Sequence, residues 1–296
     1  KKGKMMISAS TGVYGIVGNP IEHSLSPILQ NALAKEMNID MSYMAFHVTE
    51  NIKEATDGAY LLGIRGLNVT IPFKKDMLTI VKDIDERAKK IGAVNTLLKT
   101  EEGYKGYNTD ILGLKYSIEN NGLSIKDKNV ILLGAGGAAK SALYLAVEEK
   151  AKSVTVINRN VNRANELKKE VCDTFKYISV IALDELKQNI NLLEYDDYFV
   201  FQTTDVGMYP NVDKCIIEID EFYKKCDCGI DLIYTPFETK FIKNMHNADK
   251  KCINGLDMLI LQGVASFEIW NNVKVNKDII QKVKVLLVEK LRERME

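Results

Sequence analysis

The chain has 296 residues, and a length of this size favours two domains. Its 40 Lys and Arg residues balance its 40 Asp and Glu residues, so no overall positive charge is available to attract nucleic acid or anionic lipid. Hydrophobic residues make up 46% and charged residues 27% of the chain, which is typical of a globular protein with a large core. We therefore expect a local site for any bound anion, and neither a nucleic-acid nor a membrane partner.

Targeting, disulfide and metal signals are weak. The apolar runs, such as residues 130–133 and 285–288, are far shorter than the roughly 18 residues of a membrane-spanning helix. Residues 5–7 are too short an apolar run for a secretory signal, so we interpret residues 1–11 as a ragged end. The five cysteines are an odd set in a chain that needs no disulfides, which predicts a cytoplasmic protein. We predict no metal site, because Cys226 and Cys228 lie one residue apart and the histidines are scattered.

Short strand-like and helix-like segments alternate through residues 12–109. Residues 13–18 form a buried-strand pattern that ends at an Asn-Pro turn. Ser26 followed by Pro27 predicts a helix N-cap with proline at the first helical position. The next predicted elements are a strand over 43–48, a helix over 52–62 and a strand over 67–71.

The middle of the chain contains a compact unit with parallel strands. After a predicted helix over 111–120, a strand over 129–134, a helix over 138–149 and a strand over 153–158 form a βαβ unit. Residues 184–197 show no clear pattern. The remaining predicted elements are strands over 198–203 and 229–233 and helices over 257–270 and 277–293, the last with one apolar stripe.

A glycine-rich turn opens the predicted helix of this βαβ unit. Gly134, Ala135, Gly136, Gly137 and Ala138 follow the strand directly and, with Ala139, fit the G-x-G-x-x-A pattern. The first glycine permits a tight turn, the second permits close approach of backbone N–H groups to a pyrophosphate, and the small last residue permits close helix–sheet packing. The helix N-terminus adds partial positive charge. Because strand, turn, helix and second strand are all present, the pattern predicts a dinucleotide site.

The end of the second strand indicates which dinucleotide binds. An NAD site usually has Asp or Glu there for the ribose hydroxyls, whereas this chain has Asn158, Arg159 and Asn160, with Arg163 one helical turn later. A guanidinium binds a 2′-phosphate through charge-assisted hydrogen bonds, and a carboxylate would repel it. We therefore predict NADP(H). The alternative is that both arginines are solvated residues at a helix start.

With these features in place, the sequence resembles the shikimate dehydrogenase family along almost its whole length. The segments that carry the resemblance occur in order: GNPIEHSLSP (18–27), GLNVTIPFK (66–74), GAVNTL (92–97), GYNTD (106–110), the glycine turn, NR (158–159), VGM (206–208), DLIYTP (231–236), GLDML (255–259), QG (262–263) and FEIW (267–270).

The resemblance implies an α/β fold with two domains and a cleft between them. A substrate-binding domain with a mixed sheet is expected over residues 1–110, completed by C-terminal helices 256–296, and a doubly wound parallel Rossmann domain that binds NADP is expected over 111–255. The implied reaction is the reversible, NADP-dependent reduction of 3-dehydroshikimate to shikimate in chorismate and aromatic amino acid biosynthesis. Phe267 and Trp270 are expected to pack the last helices onto the substrate domain.

The resemblance also assigns roles to single residues. Lys74 is the implied proton donor and pairs with Asp110, which fixes the lysine and accepts a substrate hydroxyl; read without the family, the two would be a solvated lysine and a helix cap. The implied substrate contacts are neutral groups, which suit a polyol: Ser24 and Ser26 for the carboxylate, Asn68, Thr70, Asn95 and Gln262 for the ring hydroxyls and carboxylate, and Tyr234 near the carboxylate. Thr203, Met208 and the backbone of Gly255 are implied cofactor contacts, although Met208 could instead be core filler.

Three positions depart from the family pattern. Gln202 stands where Asn is usual, Asp205 where Ser or Pro is commoner, and Asn160 where Thr or Ser is commoner. Gln202 and Asp205 are expected to affect the loop over the nicotinamide and so the affinity for the cofactor, whereas Asn160 can still donate to a phosphate oxygen. Two alternatives to the biosynthetic enzyme stay open, namely a quinate/shikimate dehydrogenase that tolerates NAD and a catalytically silent ligand-binding member. We expect the protein to be a monomer or a homodimer.

Overall fold

A computed structural model describes residues 7–295 of the chain. The first six residues of the predicted ragged end lie outside this range. The chain forms two compact units: the first contains the chain up to Gly113 and again from Ile260, and the second contains Leu114–Leu259. Of the described helices, none is long and apolar enough to cross a membrane.

The first unit is built on a mixed six-stranded sheet with the strand order β2-β1-β3-β5-β6-β4. Strands β2, β1 and β3 are mutually parallel, and β5 runs antiparallel to β3 and to β6. Its elements up to residue 107 are β1 (Gly12–Gly18), α1 (Ser26–Met37), β2 (Met41–His47), α2 (Ile52–Leu61), β3 (Gly66–Val69), α3 (Met77–Ile80), β4 (Asp83–Ile84), α4 (Glu86–Ile91), β5 (Thr96–Lys99) and β6 (Tyr104–Tyr107).

Three further helices lie wholly or partly in the first unit. Helix α5 (Asp110–Asn120) begins in it and continues into the second unit, and α11 (Leu256–Asn271) does the reverse. Helix α12 (Lys277–Met295) buries Val283, Leu287 and Leu291, as its apolar stripe predicts.

The end of α11 packs onto the first sheet through an aromatic cluster. The indole N–H of Trp270 donates to the carbonyl of Leu97 in β5 over 2.8 Å, and the rings of Tyr14 and Tyr43 lie 5.3 and 5.9 Å from the Trp270 ring. A Cβ atom on Gly66 would lie only 2.4 Å from the indole nitrogen, so β3 can pass under the ring because it carries a glycine there. These contacts confirm the expected packing role of Trp270; Phe267 is also fully buried.

The second unit is a six-stranded sheet in which every neighbouring pair is parallel, with the order β12-β11-β10-β7-β8-β9. Its central strands are largely apolar and fully buried, as expected of a parallel sheet covered on both faces. Its elements are β7 (Asn129–Leu133), α6 (Gly137–Glu148), β8 (Ser153–Asn158), α7 (Val161–Lys169), β9 (Ile178–Ala182), α8 (Leu183–Gln188), a short 3-10 helix (Ile190–Leu192), β10 (Tyr198–Gln202), α9 (Asp220–Lys224), β11 (Cys226–Asp231), α10 (Lys240–Asn247) and β12 (Lys251–Asn254).

The strand order of the second sheet reverses direction between β7 and β10. From β7 the chain moves outward through β8 and β9, then returns to the other side of β7 with β10, β11 and β12. In open parallel sheets, ligands bind outside the carboxyl ends of the strands at such a reversal. We therefore expect a ligand-binding site at the loops that follow β7, β8 and β10.

One local prediction is wrong. Ser26 is not the N-cap of α1 but its first residue, and Leu25 is the N-cap without a side-chain hydrogen bond. The helix starts one residue early because Leu25 already has a helical conformation and its carbonyl accepts from Leu29 N over 3.0 Å. The Ser26 hydroxyl is therefore not used for capping.

Candidate active site

Lys74 and Asp110 form an ion pair in the first unit. Lys74 lies in the segment between β3 and α3, and Asp110 is the first residue of α5. Lys74 Nζ donates to Asp110 Oδ2 over 2.6 Å, with 30% of the lysine and 18% of the aspartate side chain exposed. The pair is short and largely withdrawn from water, which distinguishes it from a solvated surface contact.

The second oxygen of Asp110 is also held. Asn95 Nδ2 donates to Asp110 Oδ1 over 2.8 Å, and the backbone N–H of Asp110 donates to Asn108 Oδ1 over 3.1 Å. Asn95 is itself fixed, because its Oδ1 accepts from the backbone N–H of Thr109 over 2.8 Å. The carboxylate of Asp110 is therefore oriented by an amide on one oxygen and an ammonium on the other.

A buried cluster of hydroxyl groups supports this arrangement. Ser266 Oγ on α11 lies 2.8 Å from Thr96 Oγ1 and 3.1 Å from Thr109 Oγ1, and it accepts from Asn68 Nδ2 over 3.0 Å. Tyr43 OH donates to Asn68 Oδ1 over 2.7 Å, and burial raises the pKa of this tyrosine well above its ordinary value, which keeps the hydroxyl a donor. Sequence reasoning missed Tyr43, Thr96, Thr109 and Ser266, whose residue types alone carry no signal.

The other predicted substrate residues of the first unit surround its first loop and α11. Ser24 Oγ accepts from the backbone N–H of Ser26 over 3.2 Å. Thr70 lies against the start of this loop, since a Cβ atom on Gly18 would be 2.3 Å from Thr70 Cγ2. Gln262 lies on α11, and its carbonyl accepts from Ser266 Oγ over 3.1 Å.

A cavity of about 560 Å³ lies in the second unit at the carboxyl ends of its strands. Seven residues from the sequence prediction line it, namely Gly134, Ala135, Gly136, Asn158, Arg159, Arg163 and Thr203. The lining also includes Asp205, which the sequence analysis connected with the cofactor loop, and residues that the prediction missed: Leu183, Lys187, Thr204, Val206, Asp213, Lys214, Cys215, Ile216 and Glu218. The strand-end rule could have found Thr204 and Val206, which follow β10, whereas the loop over 213–218 has no comparable signal.

The glycine turn has the shape that a pyrophosphate requires. Gly134 has φ +112°, a conformation that other residues rarely adopt, and a Cβ atom on it would lie 2.7 Å from Thr203 Oγ1. In contrast, Cβ atoms on Gly136 and Gly137 would meet no heavy atom within 4 Å, so open space faces the turn. Helix α6 starts at Gly137 with Ala138 next. Its free N–H groups and dipole favour an anion at this position, and the residues therefore fit a dinucleotide phosphate.

The cationic end of the cavity follows β8. Arg159 comes directly after the strand and Arg163 lies in the first turn of α7, and both line the cavity. Asn160 is the N-cap of α7, with its side chain accepting from the backbone N–H of Arg163 over 3.1 Å, and it is not among the lining residues. The cap fixes the start of α7 and hence the position of Arg163.

Five other predicted residues of the second unit lie outside the lining of this cavity, namely Gly137, Ala138, Met208, Tyr234 and Gly255. Tyr234 is half-buried just after β11. Met208 is 44% exposed, so the alternative interpretation as core filler is wrong. A Cβ atom on Gly255 would lie 2.1 Å from the carbonyl oxygen of Leu232, so this glycine permits two backbone segments to approach.

The parallel sheet, the glycine turn at its reversal point and the arginines after β8 define a Rossmann-type dinucleotide-binding protein. The first unit adds a polar site around a Lys–Asp pair. Comparison with known proteins then identifies the family to which the chain belongs, the shikimate dehydrogenases. Family descriptions match residues 16–97 as the shikimate dehydrogenase substrate binding domain, 117–205 as shikimate / quinate 5-dehydrogenase and 255–283 as the shikimate 5′-dehydrogenase C-terminal domain.

Relatives of known name cover nearly the whole chain. The NADP⁺ shikimate dehydrogenase of Methanococcus maripaludis is 39% identical over 280 residues, which is 94% of this chain and 98% of that protein. A crystal structure of a shikimate dehydrogenase in complex with NADP⁺ shares 37% identity with a TM-score of 0.84, covering 95% of this chain and 96% of the other. The Thermus thermophilus enzyme in complex with NADP(H) and shikimate shares 25% identity with a TM-score of 0.80, covering 93% and 98%.

Proposed function

We propose that this chain catalyses the reversible, NADP(H)-dependent reduction of 3-dehydroshikimate to shikimate. The observation that carries the proposal is the Lys74–Asp110 pair at 2.6 Å, held by Asn95. The relatives named above, which cover almost the whole chain, support the same reaction. The product places the enzyme in the biosynthesis of chorismate and aromatic amino acids.

The proton is handled by Lys74. When bound, NADPH supplies the hydride that is added to the ketone carbon. Negative charge then develops on the ketone oxygen, where the Lys74 ammonium stabilises it and donates a proton. Asp110 keeps the ammonium in place through Oδ2 and accepts a hydrogen bond from a hydroxyl group of the substrate. In the reverse direction the same pair takes the proton from the shikimate hydroxyl.

The substrate is held by uncharged groups. We assign its carboxylate to Ser24, Ser26 and Tyr234 and its ring hydroxyls to Asn68, Thr70, Asn95 and Gln262, with Gln262 within reach of the carboxylate as well. The Ser26 hydroxyl supports this assignment because α1 does not use it as a cap. Amide and hydroxyl groups can both donate and accept, which suits a ring carrying several hydroxyls.

The cofactor is held by the second unit. We assign the pyrophosphate to the turn from Gly134 to Ala138, the 2′-phosphate to Arg159 and Arg163 with Asn158 and Asn160 beside them, and the nicotinamide to Thr203, Met208 and the backbone of Gly255. Arg159 and Arg163, which line the cavity just after β8, support a preference for a phosphorylated ribose; the rest of the lining carries both signs of charge, with Lys187 and Lys214 beside Asp205, Asp213 and Glu218. The five cysteines are free, and we infer a cytoplasmic location in which thiols stay reduced.

A steady-state comparison tests the proposal. Oxidation of shikimate and of quinate is measured with NADP⁺ and with NAD⁺, which gives four values of kcat/KM. We expect shikimate with NADP⁺ to exceed every other combination by at least about tenfold, the discrimination that one or two charge-assisted hydrogen bonds provide. Comparable values with quinate or NAD⁺ would instead identify a quinate/shikimate dehydrogenase, and no turnover with any pair would contradict the proposal.

A further inference from the structure

The side chain of Gln202 organises the loop that follows the central strand β10. Gln202 is the last residue of β10 and is 0% exposed. Its Oε1 accepts from both the backbone N–H and the Oγ1 hydroxyl of Thr204, each over 2.7 Å. Its Nε2 donates toward the carbonyls of Thr204 and Val206 over 3.2 and 3.3 Å. The backbone groups of a loop that leaves a sheet no longer have strand partners. The buried amide of Gln202 supplies hydrogen bonds to these groups instead.

This loop forms part of the dinucleotide cavity. Thr203, Thr204, Asp205 and Val206 all line it. Thr203 is anchored separately, because its N–H and its hydroxyl both donate to the carbonyl of Leu133 in β7, over 3.0 and 2.7 Å. The next three residues lie beyond this anchor, and the Gln202 amide reaches two of them directly.

A third contact connects the same amide to the neighbouring strand. Gln202 Nε2 lies 3.4 Å from Asp231 Oδ1 in β11, and Asp231 also accepts from Thr239 Oγ1 over 2.6 Å and from the backbone N–H of Ile233 over 3.0 Å. These four residues form a buried polar network beneath the loop. All of these contacts use the terminal amide of Gln202, which an Asn side chain would carry one methylene closer to the backbone.

We propose that Gln202 is a positioning residue for NADP(H): its buried amide fixes the loop over 203–206 in the form that receives the cofactor. The inference rests on the proposed function, since it takes the cavity to be the NADP(H) site. Gln202 itself does not line the cavity, so its effect on the cofactor is exerted through the loop. The affinity for NADPH should therefore depend on this amide more than the affinity for shikimate does.

The test is the dissociation constant of NADPH, measured by titration of nicotinamide fluorescence, for the wild-type chain and the variants Gln202→Leu and Gln202→Asn. We expect the dissociation constant to rise roughly 10- to 100-fold in Gln202→Leu, which removes every contact of the amide, and roughly 3- to 10-fold in Gln202→Asn, in line with the loss of one or two buried hydrogen bonds. At saturating NADP⁺, KM for shikimate should stay within about twofold of the wild-type value.

Gln30 provides a matched control. It is also 0% exposed, but it lies in α1 of the first unit, where its Nε2 donates to the carbonyl of Gly263 over 2.9 Å. Gln30→Leu should lower the melting temperature and leave the dissociation constant of NADPH within about twofold of the wild-type value.

Three outcomes would count against the inference. NADPH binding within twofold of wild type in both Gln202 variants would overturn it, and Gln202→Asn alone decides if the leucine variant does not fold. If NADPH binding weakened equally in Gln30→Leu, the weakening in the Gln202 variants would be explained by general loss of stability and not by the loop. A wild-type chain that binds no NADPH would overturn the proposed function itself, and the inference with it.

Discussion

Asp110 shows how single residues of this site depend on their neighbours. Its carboxylate is bound by Lys74 on one oxygen and by Asn95 on the other. An amide donates to a carboxylate without competing with the lysine for a proton. The orientation of Asp110 is thus settled before substrate binds, which reduces the reorganisation required during the reaction.

The role of Lys74 can be tested by removing its amine. We expect Lys74→Ala to lower kcat by roughly 10² to 10⁴, the range typical for the loss of a general acid, while the dissociation constant of NADPH changes by less than about threefold. The neighbouring Lys75 is exposed, and Lys75→Ala is the control with unaltered kcat. Turnover by Lys74→Ala at the wild-type rate would remove the proposed proton donor.

The preference for the phosphorylated cofactor can be tested at Arg159. Arg159→Ala should raise KM for NADPH by roughly tenfold or more and leave KM for NADH nearly unchanged, because only NADPH carries the 2′-phosphate. Lys169→Ala removes an exposed charge at the far end of α7, the helix that follows Arg159, and should change neither constant. Equal effects of Arg159→Ala on both cofactors would mean that Arg159 does not contact the phosphate.

At the scale of elements, the contact between β3 and α11 requires that position 66 has no side chain. Gly66→Ala would place a methyl group against the Trp270 indole, and we expect it to lower the free energy of unfolding by about 1 to 3 kcal/mol through overpacking. Gly58 lies within α2 with no heavy atom within 4 Å of an added Cβ, so Gly58→Ala should be neutral or stabilise by up to about 1 kcal/mol. Urea unfolding of both variants compares them, and a neutral Gly66→Ala would show that the ring moves aside freely.

The sequence predicted those elements whose burial is continuous. Strands such as β7 and β10 are buried from end to end and largely apolar because both faces of a parallel sheet are covered. Residues 184–197 gave no pattern because α8 buries only Leu183 and Leu186. The short strands β5 and β6 were missed because each is only four residues long, too short for a clear alternation of apolar and polar residues.

The sequence predicted the dinucleotide-binding residues more completely than the residues around Lys74 and Asp110. The glycine turn and the arginines are contiguous in sequence, and their conformational and charge requirements can be read locally. Lys74 and Asp110 are 36 positions apart, so their pairing came only from the family resemblance. The buried hydroxyl cluster around Ser266 could not be anticipated, because three hydroxyls and an amide from four separate segments meet only after folding.

At the scale of the whole molecule, the two units have separate hydrophobic cores, and the second contains a buried acid. Burial raises the pKa of Asp231 to about 7, against lowering contributions from its hydrogen bonds to Thr239 and Ile233. The protonated form is thus favoured by the folded state. Its contribution to stability is fully present below the unfolded pKa near 4 and is lost as the pH rises through 7.

This linkage predicts a pH dependence of unfolding. Between about pH 7.5 and 5, the melting temperature of the wild-type chain should rise relative to that of Asp231→Asn, by an amount corresponding to a few kcal/mol at most. The comparison with Asp231→Asn cancels the titration of the exposed carboxylates. Parallel pH profiles of the two proteins would show that Asp231 is ionised throughout this range.

The division of the chain also has a consequence for the order of events during translation. The second unit is one continuous stretch, whereas the strands of the first unit lack α11 and α12 until the whole second unit has been synthesised. Trp270, which lies over Gly66 and donates to the carbonyl of Leu97, therefore leaves the ribosome after the second unit. The nucleotide-binding half can thus mature first, and the portion synthesised earliest is completed last, the reverse of the usual amino-terminal-first sequence.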